Sequence, residues 1–232
     1  MWDSRLEETL PAVRERIGEA LGRAGRGGEV RIVAVTKGHP PEAAAAAVRA
    51  GLRILGENRV QELAGKVAAV GRDAAEWHLI GHLQRNKARQ ALDLFDLVHA
   101  VDSPRLARTL ASEAERADRP VRGLLQVNVS DEETKGGFEA GGVADALGAI
   151  AGGGWLEIHG LMTMAPFTDD ETVLRRTFAA TRRLLEECGR QVPGALRGSE
   201  LSMGMSNDFE IAVEEGATMV RLGTVLFGER QT

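Results

Sequence analysis

The sequence predicts one α/β domain folded as a TIM-type (β/α)8 barrel, preceded by an additional N-terminal helix. Three observations lead there. Eight β-rich runs alternate with helical segments, which implies a parallel sheet, and eight strands are the number that closes such a barrel. A length of 232 residues suits one barrel. No shift in composition marks a linker, so a single domain over 1–232 is expected, with the helix at about 4–22 and the barrel at about 29–228. An open doubly wound sheet is the alternative, but it usually has fewer strands.

The elements follow in order. Ser4 and Glu7 have the spacing of a capping box. Leu6, Leu10, Val13, Ile17 and Leu21 then recur at steps of three and four, one apolar stripe that ends in the Gly-rich stretch 22–28. The first β-rich run is 30–37, followed by Pro40-Pro41 and an alanine-rich helix to Ala50. The second is 52–58, with a helix through Val60, Leu63 and Val67. The third is 77–82, leading into a polar helix over 83–94. The fourth is 96–103, and Pro104 suits the first turn of the next helix because its φ is already helical.

The fifth run is 122–130, with a helix near 143–150. The sixth is 156–164, and its helix carries Leu174, Phe178, Thr181, Leu185 and Cys188 on one stripe. The seventh is 200–206, before a short helix over 209–215, and the eighth is 219–228.

Composition narrows the class. Hydrophobic residues make up 43% and charged residues 27%, ordinary for a core-forming soluble protein. A net charge of -5, with arginines spread along the chain, argues against nucleic acid or an anionic membrane, since both demand a basic face. A single cysteine, Cys188, forms no intrachain disulfide and suits a reducing compartment. Asp3, Arg5, Glu7 and Glu8 stand where a leader needs an apolar run. No stretch approaches the roughly 20 apolar residues that span a bilayer. A cytoplasmic protein is expected, with a monomer as its state. The chain contains no tyrosine.

Barrel chemistry sits where strands end, and out-of-pattern polar residues gather there: Lys37, Asn58, His82, Asn128, Thr163, Ser206, Gly223 and Thr224. Lys37 ends an apolar strand. As a solvated strand-end lysine it means nothing; half-buried at a barrel mouth, its neutral amine is freed for imine formation. Ser202–Asn207 places small residues and hydroxyls just before a helix, and Arg221–Thr224 ends the eighth run with a glycine and a hydroxyl. Barrels commonly bind phosphate after strands 7 and 8, where backbone N–H groups favour an anion. Arg221, within a strand among apolar neighbours, reads as a fixed cation and donor aimed into the barrel. His78 and His82 are no zinc pair, since they lie on a strand and no glutamate follows His78. His159 reads as a hydrogen-bonded barrel residue. No dinucleotide fingerprint, nucleophile elbow or P-loop is present.

An ordered series of segments resembles the pyridoxal phosphate homeostasis protein family, YggS-like proteins related to the barrel domain of alanine racemase. These are VAVTK (33–37), GENRVQE (56–62), WHLIGHLQRNK (77–87), NVSDEETKGG (128–137), HGLMTM (159–164), LSMGMSNDFEIAVEEGATMVRLGT (201–224) and FG (227–228). The resemblance implies pyridoxal 5'-phosphate (PLP) as cofactor, held as a Schiff base on Lys37. It implies that Ser206, Gly223 and Thr224 hold the phosphate, that Arg221 faces the pyridine nitrogen, and that Asn58 and Met203 lie near the ring. An arginine there leaves that nitrogen unprotonated and the ring a weaker electron sink. His82 stands where the family varies, so no chemistry is placed on it. Lys135, in the loop after the fifth strand, is a weaker candidate for contact with cofactor or partner.

Three functions compete: a PLP carrier acting in vitamin B6 homeostasis, with PLP-dependent apo-enzymes as acceptors; a PLP-dependent racemase or decarboxylase; and a Schiff-base aldolase. A racemase needs an acid/base group on each face of the substrate carbon. The related racemases use a tyrosine from a second domain, and here there is neither tyrosine nor room for that domain after Phe227. The expectation is a cofactor-binding protein, not an enzyme.

Overall fold

The computed structural model describes residues 1–129 and 136–229. Its eight barrel strands are β1 (Arg31–Val35), β2 (Ile54–Glu57), β3 (Glu76–Leu79), β4 (Leu97–Val101), β5 (Val121–Asn128), β7 (Leu156–Met162), β8 (Leu196–Ser202) and β9 (Met219–Leu222). All neighbours pair in parallel, and the β4–β5 pairing closes the circle. A two-residue strand that sequence reading missed, β6 (Phe138–Glu139), adds to β5 outside the ring.

The helices are α1 (Trp2–Arg23), α2 (Pro41–Arg49), α3 (Val60–Val70), α4 (Ala88–Leu94), α5 (Pro104–Arg116), α6 (Val143–Ala151), α7 (Glu171–Gln191), α8 (Phe209–Glu214) and α9 (Thr224–Phe227). Pro104 opens α5 as expected, and the Ser103 hydroxyl accepts from the Leu106 N–H to cap it.

Two apolar layers organise the molecule. A small inner core fills the barrel with Val33, Val35, Ile54, Ile80, Leu97 and their neighbours. A larger outer core lies between strands and helices, where Ala34, Leu55 and Leu79 meet the apolar helix faces. The period-2 pleat produces the division: Val33 and Val35 face in and Ala34 faces out. Continuing that count puts Lys37 on the inner row. The extra helix α1 buries Leu6, Leu10, Val13 and Ile17 against α2, α8 and α9.

Four boundary expectations are corrected. Ser4 lies inside α1, whose N-cap is Met1 with no side-chain cap bond, so the capping box does not form. The polar helix starts as a 3-10 turn over Arg85–Lys87 and becomes α-helical at Ala88. The seventh run is strand from Leu196 to Ser202, and 203–206 is already loop. The eighth is strand only to Leu222. Gly223 turns the backbone, its carbonyl accepts from the Leu226 and Phe227 N–H groups, and VLF coils as α9.

Candidate functional site

A cavity of about 660 Å³ opens at the C-terminal ends of the strands, a size suited to a small ligand. Lys37, half-buried, enters it from the loop after β1. The peptide before Lys37 is pinned from the outside by α3: the Lys66 ammonium donates to the Thr36 carbonyl (2.6 Å) and to Glu57 Oε1 (2.5 Å). The Thr36 hydroxyl donates to the same carboxylate oxygen. Burial pushes the Glu57 carboxyl up, while Lys66 and Thr36 pull it down, and its second oxygen has no partner among the described residues.

Arg221 lies on the inner face of β9, buried and lining the cavity. It donates to the Ser202 carbonyl (2.7 Å), the Ser202 hydroxyl (2.8 Å) and the Thr163 carbonyl (2.8 Å). Burial lowers its pKa to about 10, with Asp208 acting the other way. That value is far above neutrality, so the guanidinium stays a cation. The expectation that it points into the barrel holds.

Ser206 joins the loops after β8 and β9. Its hydroxyl oxygen accepts from the backbone N–H groups of Gly223 and Val225, each at 3.3 Å. Its loop is held by Asp208, whose carboxylate accepts from the Met205 N–H at 2.5 Å. Thr224 is exposed beside it. Asn58 reaches the mouth from the end of β2, packed so closely on Gly81 that a Cβ there would stand 2.7 Å from the Asn58 carbonyl oxygen.

The cavity thus gathers Lys37, Asn58, Ser206, Arg221, Gly223 and Thr224, six of the seven residues expected to bind the cofactor. Met203 is not among its lining. Ser202 turns its hydroxyl into the barrel, so the next residue faces out, and Met203 is fully buried in the outer core. Met205 lines the cavity instead. Lys135 lies outside the described residues.

Sequence reading places no role on several residues of the wall. His82, set aside earlier, stands on the rim with its Nδ1 2.6 Å from an Asp102 carboxylate oxygen. His39 packs edge-on to Trp2 at 5.0 Å between ring centroids, tying the start of α1 to the mouth. Gln126 enters from β5, its amide donating to the Gly136 carbonyl at 2.8 Å. Gln126 carries a sequence signal as a polar residue at an inward strand position, and His82 as one of the polar residues at the strand ends. Among the described lining residues Asp102, engaged by His82, is the one acid, against Lys37 and Arg221. The described wall favours an anion. Among the described residues no cluster of three His, Cys, Asp or Glu suits a metal.

Residues 9–231 match the family model described as alanine racemase, N-terminal domain. A curated pyridoxal phosphate homeostasis protein of Aquifex aeolicus is 40% identical over 225 residues, covering 97% of this chain and 98% of the relative. This chain belongs to the pyridoxal phosphate homeostasis protein family. Its structural likeness extends to PipY of Synechococcus elongatus, solved without PLP and with PLP bound. The two match at TM-scores of 0.86 and 0.82, at 37% and 40% identity, and over 98% and 91% of this chain. Both comparisons take in 100% of the PipY chain. Alanine racemase from Corynebacterium glutamicum, at 18% identity and a TM-score of 0.71, shares the fold over 62% of its length and 94% of this chain. Members of the homeostasis family are thus built on the racemase barrel.

Proposed function

We propose that this chain binds pyridoxal 5'-phosphate, holds it as a Schiff base on Lys37, and keeps it available to PLP-dependent apo-enzymes in the cytoplasm without turning over a substrate of its own. The observation that carries the reading is one cavity holding an amine, a buried cation and a backbone N–H cradle organised by Ser206. These donors match an aldehyde, a heteroaromatic ring nitrogen and a phosphate. The family name and the PLP bound in PipY support it. When bound, the cofactor supplies an electrophilic aldehyde carbon and an electron-withdrawing ring. Lys37 provides the nucleophile for that carbon. Ser206, Gly223 and Thr224 orient the phosphate, and Arg221 donates to the ring nitrogen and keeps a proton off it.

The reading without turnover rests on the lack of a second acid/base group. A racemase needs a second acid/base group opposite the lysine. No tyrosine exists in the chain, Cys188 is buried on α7 with its thiol pushed up by burial, and the histidines of the wall are engaged, His82 with Asp102 and His39 against Trp2.

Absorption spectra of the protein mixed with PLP, beside Lys37→Ala, test the anchor. A visible band that borohydride removes, present only with Lys37, is expected; identical free-PLP spectra from both proteins would overturn the reading. Incubation with an apo-enzyme tests the role. PLP transfer without racemisation or CO2 release is expected, and sustained racemisation that Lys37→Ala abolishes would make the chain an enzyme.

A further inference from the structure

The inner core of the barrel carries a polar row, Glu76, His78, His99 and Ser202, that the cofactor reading does not use and that ends on Arg221. Glu76 opens β3 at the end of the barrel away from the cavity, and the Arg122 guanidinium lies 3.5 Å from its Oε1. His78 Nε2 stands 3.0 Å from that same oxygen. His78 Nδ1 lies 2.8 Å from His99 Nε2, and His99 Nδ1 lies 2.9 Å from the Ser202 hydroxyl. Ser202 in turn accepts from Arg221 at 2.8 Å. His78, His99 and Ser202 are fully buried, and neither histidine lines the cavity.

The row runs in one direction. A guanidinium only donates, so the Ser202 oxygen accepts from Arg221. The serine's own hydrogen then has one acceptor within reach among the described residues, His99 Nδ1. His99 therefore carries its proton on Nε2 and donates to His78 Nδ1. His78 likewise carries its proton on Nε2, facing the Glu76 carboxylate. The opposite direction strands the serine hydrogen and sets two acceptors, His78 Nε2 and the carboxylate, 3.0 Å apart. Among the described residues His78 Nε2 faces no group but that carboxylate, and Arg122, 3.5 Å from Oε1, offers the histidine no acceptor or donor that would relieve the conflict. Doubly protonated histidines offer no escape: burial holds His78 below its ordinary value and His99 well below.

We infer that Ser202, His99 and His78 are positioning residues for Arg221, locking the Ser202 hydroxyl so that its lone pair always meets the guanidinium. The Ser202 carbonyl and hydroxyl oxygens then take both hydrogens of one guanidinium nitrogen, and the Thr163 carbonyl takes one from the other. The remaining N–H groups are left for the cavity. If His99 no longer accepts, the hydroxyl is free to rotate and turn its hydrogen toward the cation. The consequence for cofactor binding rests on the PLP reading above; the direction of the row does not.

Two measurements separate these levels. Long-range 1H–15N correlation spectra of the protein without PLP read the tautomers, and Nε2–H is expected for both His78 and His99. A proton on Nδ1 of either overturns the inference. Equilibrium PLP binding is then compared across variants whose folding is checked by circular dichroism. Ser202→Ala and His99→Leu are expected to weaken binding about tenfold and to shift the visible band, the effect of one misplaced hydrogen bond. His99→Asn, whose amide oxygen replaces Nδ1 as acceptor, is expected to recover most of the affinity. If His99→Leu does not fold, Ser202→Ala and His99→Asn still decide the matter. Unchanged affinity and spectrum in Ser202→Ala refute the positioning role. A wild type that binds no PLP at all defeats the cofactor reading while leaving the tautomer result to stand on its own.

Discussion

At Gly204 the backbone turns with φ at +91°, carrying the chain out of β8 and into the loop that presents Ser206. A Cβ there would meet the Ala212 Cβ at 2.6 Å and the Phe209 Cα at 3.0 Å. Both the left-handed backbone and the contact with α8 exclude a side chain. Gly204→Ala is expected to lower stability by about 2 kcal/mol or more, read from the urea midpoint. PLP affinity should fall with it, because the Ser206 hydroxyl loses its place against the Gly223 and Val225 N–H groups. An alanine variant as stable as the parent would mean that α8 yields more easily than its packing indicates.

At the scale of elements, the joint between β2 and α3 is held by a buried ion pair. Glu57 and Lys66 are both buried, and their 2.5 Å ion pair also grips the Thr36 carbonyl beside Lys37. Removing one partner of such a pair strands a charge in a medium that solvates it poorly. Lys66→Met is therefore expected to cost about 3 kcal/mol in thermal or urea unfolding. Adding Glu57→Gln to that variant should restore much of the loss, since the stranded charge disappears. The single variant should also loosen Lys37 and slow its reaction with PLP. If both variants prove equally unstable, the pair acts through packing and not through charge.

At the scale of the molecule, the barrel interior makes stability depend on pH. His78 and His99 have folded pKa values below the ordinary 6.5, chiefly through burial. The unfolded chain therefore takes up these protons first. Their contribution is complete above about pH 6.5 and is lost as pH falls below it, with a slope approaching 1.4 kcal/mol per pH unit for each histidine. Glu57 and Asp208 act in the opposite sense, because burial raises them: stability present in acid is lost as pH rises through their folded values. Urea midpoints measured from about pH 5 to about pH 7.5 should give a shallower slope for His99→Asn than for the wild type, by up to about 1.4 kcal/mol per unit. Equal slopes would mean that His99 is solvated in the folded state.

The alternation of β-rich and helical runs, and with it the barrel, was legible because strand and helix periodicities are local properties of the chain. The residues at the strand ends were legible for a related reason. Lys37, Asn58, Ser206, Arg221, Gly223 and Thr224 interrupt apolar patterns at the one end of a barrel where backbone groups remain open to a ligand. Met203 was misplaced because its inward or outward sense depends on Ser202, whose direction is set by bonds to Arg221 and His99 from other strands. The end of β9 was equally hidden. Val225, Leu226 and Phe227 suit a strand by composition, yet the turn at Gly223 and packing against α1 coil them into α9. His78 and His99 lie 21 residues apart and meet only because β3 and β4 pair with His78 opposite Leu97. The sequence by itself determined which elements form and which end of the barrel carries chemistry, since both follow from neighbours along the chain. Only the closed barrel decided which polar side chains share its interior, because that depends on registers between strands distant in sequence.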